Sequence, residues 1–215
     1  MHVCLASTSP ARLMLLRQAG IEPLTMAPDV DEDAVIIEVE AAEGRRLDAD
    51  EHVLLLARRK AADVAARLIA EQPGFDGIVI GGDSMFEIDG DILGKPHTAE
   101  AATRRWRAMR GRTGVLHSGH SVIRLRPGAG STEAHAVAAA SVTFAADVTD
   151  AEIAAYVASG EPLHVAGAFT IDSLGGPFID RVVGDPSTVV GMSLSTVRRL
   201  AGQVGVPWPD LWNRT

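Results

Sequence analysis

Five charged residues and one run of hydroxyls stand where charge spent only on solubility would not put them. In "LASTSPAR", Leu5 to Arg12, three hydroxyls (Ser7, Thr8, Ser9), a proline and Arg12 fill the joint between an apolar run and an amphipathic stretch. Asp83 follows the apolar "GIVIGG" at once, Lys60 falls at the helical spacing of Leu56 and Val64, Lys95 is fixed between Gly94 and Pro96, and Glu32 sits among Asp29, Asp31 and Asp33. Arg12, Lys60 and Lys95 with a hydroxyl-rich turn can hold a polyphosphate. Glu32 and Asp83 supply hard oxygen ligands for Mg²⁺ or Mn²⁺. Together they make the kit for metal-assisted phosphoanhydride chemistry. Singly, each has a plainer reading: turn hydrogen bonds for Ser7 and Thr8, a turn aspartate, a snorkelling lysine stem, a surface lysine, a solvated acidic loop. Arg12 resists its plain reading most, because a cation near a helix N-terminus opposes the dipole unless an anion offsets it.

These residues need elements to place them. Val3 to Ala6 reads as a short buried strand, and Pro10 to Ala19 as a helix with Ser9 as N-cap, Pro10 in the first position and Gly20 as the stop. The acidic loop "APDVDEDAV" leads into a polar stretch, irregular or helical, up to Asp50. "EHVLLLARRKAADVAARLIAEQ" reads as a long helix ending at Pro73-Gly74, with Lys60 on its apolar face. "GIVIGGDSMFEIDGDILGKP" reads as a strand, a junction that leaves Asp83 at the strand end, and a hairpin turning at Asp89-Gly90. A Thr98-capped helix, a hairpin around "PGAGS", and a helix opened by a Thr149–Glu152 capping box follow. A Gly-rich segment with short strands and a last helix close the chain. The alternation of helices and hairpins gives an α/β class, with α+β as the alternative, built on a mixed sheet.

The chain has 215 residues, enough for one large domain or two small ones. Its formal net charge of −8 argues against a broad nucleic-acid or anionic-membrane surface, so any phosphate must be met locally. A single cysteine, Cys4, excludes an intrachain disulfide and a Cys-rich zinc site, and is read as a core thiol in a reducing compartment. No apolar run is long enough for a bilayer, and no signal-peptide pattern opens the chain; a cytoplasmic protein is expected. An aromatic content of 4% points to a core of Ala, Val, Leu and Ile. Trp106, Trp208 and Trp212 read as packing groups, and His117 and His120 as strand residues on opposite faces.

Five segments in order, "LASTSPAR", "PDVDE", "LARRKA", "GGDSMFEIDGDILGKP" and "EPLHVAGAFTIDSLGGPFIDRVVGDPSTVVGMSL", resemble the motifs of the Maf family of nucleoside triphosphate pyrophosphatases over nearly the whole length. The resemblance implies one domain over 1–215, with a mixed sheet flanked by helices around a central cleft, as in inosine triphosphate pyrophosphatases. It implies that Asp83 is the active-site carboxylate, that Glu32 and Asp83 hold the divalent cation, and that Ser7, Arg12, Lys60 and Lys95 grip the triphosphate. Arg12, Ser84 and Asp172 occupy the positions tied to base choice. The sequence departs from the usual pattern at Ala11, where the family has a second basic residue, at Ser84, often Thr or Gln, and at Asp172, often Gln or Glu. Base preference is therefore open, and the short acid at 172 leans towards a base that donates a hydrogen bond. The implied reaction yields a nucleoside monophosphate and pyrophosphate, in a homodimer. The readings weighed against it are a pyrophosphatase of the inosine and xanthosine triphosphate type and a non-catalytic nucleotide-binding regulator linked to cell division. A covalent-nucleophile phosphatase has no supporting pattern.

Overall fold

In the computed structural model, residues 1–213 are described. The elements run β1 (His2–Ala6), α1 (Pro10–Gln18), β2 (Leu24–Thr25), α2 (Glu32–Glu43), α3 (Ala49–Glu71), β3 (Gly77–Ile88), β4 (Asp91–Leu93), α4 (Ala99–Met109), β5 (Thr113–Arg126), β6 (Gly130–Phe144), α5 (Asp150–Ala158), β7 (Ile179–Val183), α6 (Pro186–Val190) and α7 (Leu194–Gln203). The mixed sheet has the order β2-β1-β3-β5-β6-β7, with β4 paired to β3. β1 runs parallel to β2 and β3, whereas the β3–β4 and β6–β7 pairs are antiparallel. The expected mixed α/β sheet with helices is therefore present.

Two compact units divide the chain: one of Met1–Asp83, Ser118–Ala138 and the segment from Gly191, the other of Ser84–His117 and Ala139–Val190. In the first, Cys4, Ala6 and Val79 of the sheet pack against Ala61, Val64 and Leu68 of α3. These side chains are small and aliphatic, as the composition predicts. The core of the second unit is different. Phe86, Trp106, Phe144, Tyr156 and Phe169 are buried there, and they meet mostly edge to face, with Trp106 5.3 Å from Tyr156 and Phe144 5.0 Å from Phe169. A low aromatic count thus hides a concentrated aromatic core, because composition reports how many rings a chain has and not where they gather. Trp106 also donates its indole N–H to the Ala168 carbonyl at 2.7 Å, the partner a buried indole requires.

Several boundaries follow the local signals. Ser9 caps α1, Thr98 caps α4, and the Thr149–Glu152 box opens α5 in both directions. The β3–β4 turn takes positive φ at both Asp89 (55°) and Gly90 (84°), the pattern of a type I′ hairpin. Two expectations change. Glu32, expected in the acidic loop, is the first residue of α2, with Asp31 accepting from the Ala34 N–H as N-cap; of the two alternatives left open for the stretch that follows, the helical one holds as far as Glu43. No junction interrupts β3, which continues through Asp83 to Ile88. What stops near Asp83 is its neighbour, since β1 pairs with β3 only as far as Ala6 opposite Gly81. Asp83 thus lies beyond the carboxyl end of β1 within a continuous strand. No helix among the described residues is long and apolar enough to cross a membrane.

Candidate active site

The candidate site forms in the first unit, where α3 lies close against the sheet. A Cβ at Gly81 would meet the Ala57 carbonyl oxygen at 2.3 Å and the Ala61 Cβ at 2.8 Å; one at Gly119 would meet the Val53 carbonyl oxygen at 2.1 Å. Only glycine in β3 and β5 lets the helix backbone come this near. The consequence falls one turn along, where Lys60 faces the sheet and is buried. Its Nζ donates to Asp83 Oδ1 at 2.7 Å and forms an ion pair with Glu32 Oε1, also at 2.7 Å.

Glu32 is carried to this point by the start of α2. The loop before it is tied to α3: the Asp29 N–H donates to Asp63 Oδ2 at 2.9 Å and Arg67 donates to the Ala27 carbonyl at 2.5 Å. Asp63 and Arg67 follow Lys60 at the spacings of one helical face, so one helix anchors the loop and supplies the ammonium. The Asp83 side chain is 13% exposed and that of Glu32 50%, so the pair has a buried and a solvent-facing member.

Arg12 occupies the floor beside Asp83. Its Nε donates to the Gly191 carbonyl at 2.8 Å and one terminal nitrogen to Ser7 Oγ at 3.3 Å. Ser7 is buried and also accepts from the Ser9 N–H at 3.1 Å. A Cβ at Gly82 would stand 3.3 Å from Arg12 Nε, so the guanidinium lies against bare backbone next to the carboxylate. Burial lowers the Arg12 pKa, and the negative charges of Asp83 and Glu32 push it back up. Arginine nevertheless stays cationic in proteins. This arrangement supplies the offsetting anions that a cation in the first turn of α1 needs.

Two residues that sequence reasoning passed over complete the floor. Ser118, fully buried, donates to the Asp83 carbonyl at 3.2 Å and lies 3.4 Å from the Gly191 carbonyl. Gly191 takes a φ of 127°, which side chains rarely adopt, and so aims its carbonyl at Arg12. The only sequence trace of Gly191 is its place in the last motif; Ser118, in an unremarkable strand, leaves none. His120 is fully buried, and its Nε2 accepts from the Ser193 N–H at 2.9 Å, which makes it a structural strand residue as expected. Cys4 is a core thiol, its pKa pushed up to about 11 by burial, with the charge of Arg67 opposing.

The remaining predicted residues belong to the second unit. Lys95 is exposed in the loop after β4, Ser84 is half-buried in β3, and Asp172 is exposed in the segment after the aromatic core. Ser7, Arg12, Glu32, Lys60 and Asp83 are brought together within the first unit.

Chemically, the cluster offers two hard carboxylate donors and two cations. The carboxylate oxygens of Glu32 and Asp83 each lie 2.7 Å from one nitrogen, hence within twice that distance of each other. That spacing and donor type fit a Mg²⁺ or Mn²⁺ ion, which is held by one or two carboxylates and completes its shell with water and phosphate oxygens. Among the described residues no group of three or more His, Cys, Asp and Glu side chains is arranged as a protein-only metal cage.

Comparison with known proteins places the chain in a family. Residues 2–204 match the family model described as Maf-like protein. The chain is 60% identical over 214 residues to a protein of Leifsonia xyli subsp. xyli named nucleoside triphosphate pyrophosphatase, covering 100% of this chain and 98% of that one. Proteins of the same name from Rhodococcus jostii, 52% identical over 97% of this chain and 94% of theirs, and from Corynebacterium efficiens, 47% identical over the full length of both, are also similar. The solved structure of the Staphylococcus aureus Ham1 protein aligns with 68% of this chain and 73% of its own at 10% identity, with a TM-score of 0.32, a likeness too loose to bear on the site. With the family model spanning almost all of the sequence and relatives matching end to end, the chain belongs to the Maf family.

Proposed function

We propose that the protein is a metal-assisted nucleoside triphosphate pyrophosphatase that hydrolyses the anhydride between the α- and β-phosphates, releasing a nucleoside monophosphate and pyrophosphate. The observation that carries this reading is the convergence of Glu32 and Asp83 on one buried ammonium, with the Arg12 guanidinium beside them. Relatives named for this activity match over the full chain. A divalent cation held by Glu32 and Asp83 would lower the pKa of a coordinated water and neutralise charge on the anhydride. Ser7 and Arg12 bind phosphate oxygens at the start of α1. Lys60, Lys95 and Arg12 stabilise charge as it moves onto the leaving pyrophosphate. Asp83 also serves to orient the attacking water or take its proton. Arg12, Ser84 and Asp172 select the base, and the short Asp172 carboxylate favours one that donates a hydrogen bond. One catalytic domain over 1–215, a homodimer in a cytoplasmic setting, is the form in which we expect the enzyme to work.

The test is a nucleotide panel with Mg²⁺ and then Mn²⁺, with products resolved and Asp83→Asn run beside the native protein. Monophosphate plus pyrophosphate, with the rate reduced by roughly 10²–10⁴ in the variant, supports the reading. Tight nucleotide binding without turnover on any base would instead favour a non-catalytic regulator.

A further inference from the structure

The Glu161 carboxylate in the second unit gathers an unusual number of donors. Its Oε1 accepts from Tyr156 Oη at 2.9 Å, Thr170 Oγ1 at 2.5 Å and the Gly175 N–H at 3.2 Å. Its Oε2 accepts from Ser173 Oγ at 2.7 Å and the Leu174 N–H at 3.3 Å. Four of the five donors belong to the loop 170–175, and the fifth, Tyr156, also accepts from the Thr170 N–H at 3.3 Å. The loop is drawn in tightly: a Cβ at Gly175 would meet the Thr170 carbonyl oxygen at 2.5 Å and Tyr156 Oη at 2.7 Å. Burial raises the Glu161 pKa, but the hydrogen bonds from Thr170, Ser173, Tyr156 and Leu174 outweigh it and leave the group below the ordinary carboxylate range. Glu161 is therefore a charged acceptor at neutral pH around which a loop with no regular hydrogen-bond ladder of its own is wound. Midway along that loop, between donors Thr170 and Ser173, stands Asp172, exposed.

We infer that Glu161 is a positioning residue for base selection: its carboxylate fixes the loop 170–175 so that Asp172 is presented in one orientation to the nucleobase. The inference rests on the proposed role of Asp172 in reading the base. Glu161 itself touches no substrate; its contribution is the order of the loop, since a flexible loop would let Asp172 satisfy several bases at an entropic cost to each. A glutamine at 161 keeps the size of the side chain but turns an amide NH₂ towards the donors of one oxygen, three at Oε1 or two at Oε2, leaving hydroxyl or N–H groups without that acceptor.

The experiment compares native protein, Glu161→Gln, Ser173→Ala and Asp172→Asn on the two best nucleotides of the panel, and records kcat, KM and melting temperature for each. Ser173→Ala removes one hydrogen bond at an exposed position and keeps the test open should the glutamine variant fold poorly. The expected result is a fall in discrimination between the two bases of about tenfold for Glu161→Gln and about threefold for Ser173→Ala, carried by KM, with kcat changing less than about threefold. A lower melting temperature with kcat reduced equally on both bases and discrimination intact would overturn the proposal and make Glu161 a purely structural group. Discrimination altered by Asp172→Asn but by neither of the other two variants would overturn the role of Glu161 alone. Discrimination unmoved by Asp172→Asn would overturn the reading of Asp172 and the inference with it.

Discussion

Replacing Lys60 by methionine keeps an unbranched stem of similar length in the α3 groove and deletes the charge that Glu32 and Asp83 share. Two carboxylates no farther apart than twice 2.7 Å repel by about 3 kcal/mol at an effective dielectric near 20. Half-exposure of Glu32 lets solvent screen part of this. Against that reduction, Asp83 loses its nearest cation while 13% exposed, and removing one partner of a buried pair costs about 3–5 kcal/mol when nothing replaces it. Arg12 remains close by and offsets some of the loss. The net expectation is about 3 kcal/mol, which in a domain of this size lowers the melting temperature by about 6–12 °C. The assay is thermal unfolding in a chelator, followed by titration with Mn²⁺. Because a divalent cation bound by the two carboxylates would supply the missing positive charge, Mn²⁺ should raise the melting temperature of Lys60→Met by several degrees more than that of the native protein. A variant that melts within about 2 °C of native in chelator, or an equal Mn²⁺ response in both proteins, would refute the argument that the ammonium holds the carboxylates together.

Three further outcomes follow from the same geometry. Arg12→Lys should lose nearly as much triphosphate affinity as Arg12→Ala, about tenfold or more in KM, because a lysine cannot donate in fixed geometry to both the Gly191 carbonyl and Ser7 Oγ. Gly81→Ala should destabilise by about 1–3 kcal/mol in chemical denaturation and lower activity as well, since α3 must retreat from its new methyl group and takes Lys60 with it. Cys4, raised from 9.0 to about 11 by burial, makes folding favour the protonated thiol. Its contribution is complete below pH about 9 and lost as pH climbs towards about 11, so a denaturation series against pH should show a decline over that window that Cys4→Ala lacks.

Many elements could be read along the chain because their signals are local. Ser9, Thr98 and the Thr149–Glu152 box cap helices with side chains three residues from the N–H groups they satisfy, and Asp89-Gly90 turns a hairpin through its own positive φ. The burial of Lys60 was legible too, from its spacing with Leu56 and Val64. The length of β3 was not, because a glycine pair looks like a stop until a neighbouring strand is known to end there. The helical start of α2 was hidden by an acidic composition common to loops and to helix N-termini alike. Gly191 and Glu161 could be seen only as members of the last motif, and Ser118 not at all, since each acts through partners far along the chain or through one acceptor shared by many donors.

The sequence by itself determined the types and order of the functional groups: a hydroxyl-rich turn with Arg12, an acid at 32, a lysine on an apolar helix face and Asp83 after an apolar strand. Family membership follows from that order. Tertiary structure alone decided that Lys60 bridges Glu32 and Asp83, that Arg12 is held by a carbonyl 179 residues away, and that a single carboxylate organises the loop carrying Asp172. The physical reason is that capping and turn energies are set within a few residues of backbone. Ion pairs and shared acceptors, in contrast, depend on distances of a few ångströms that exist only after glycines at 81 and 119 let a helix close upon a sheet.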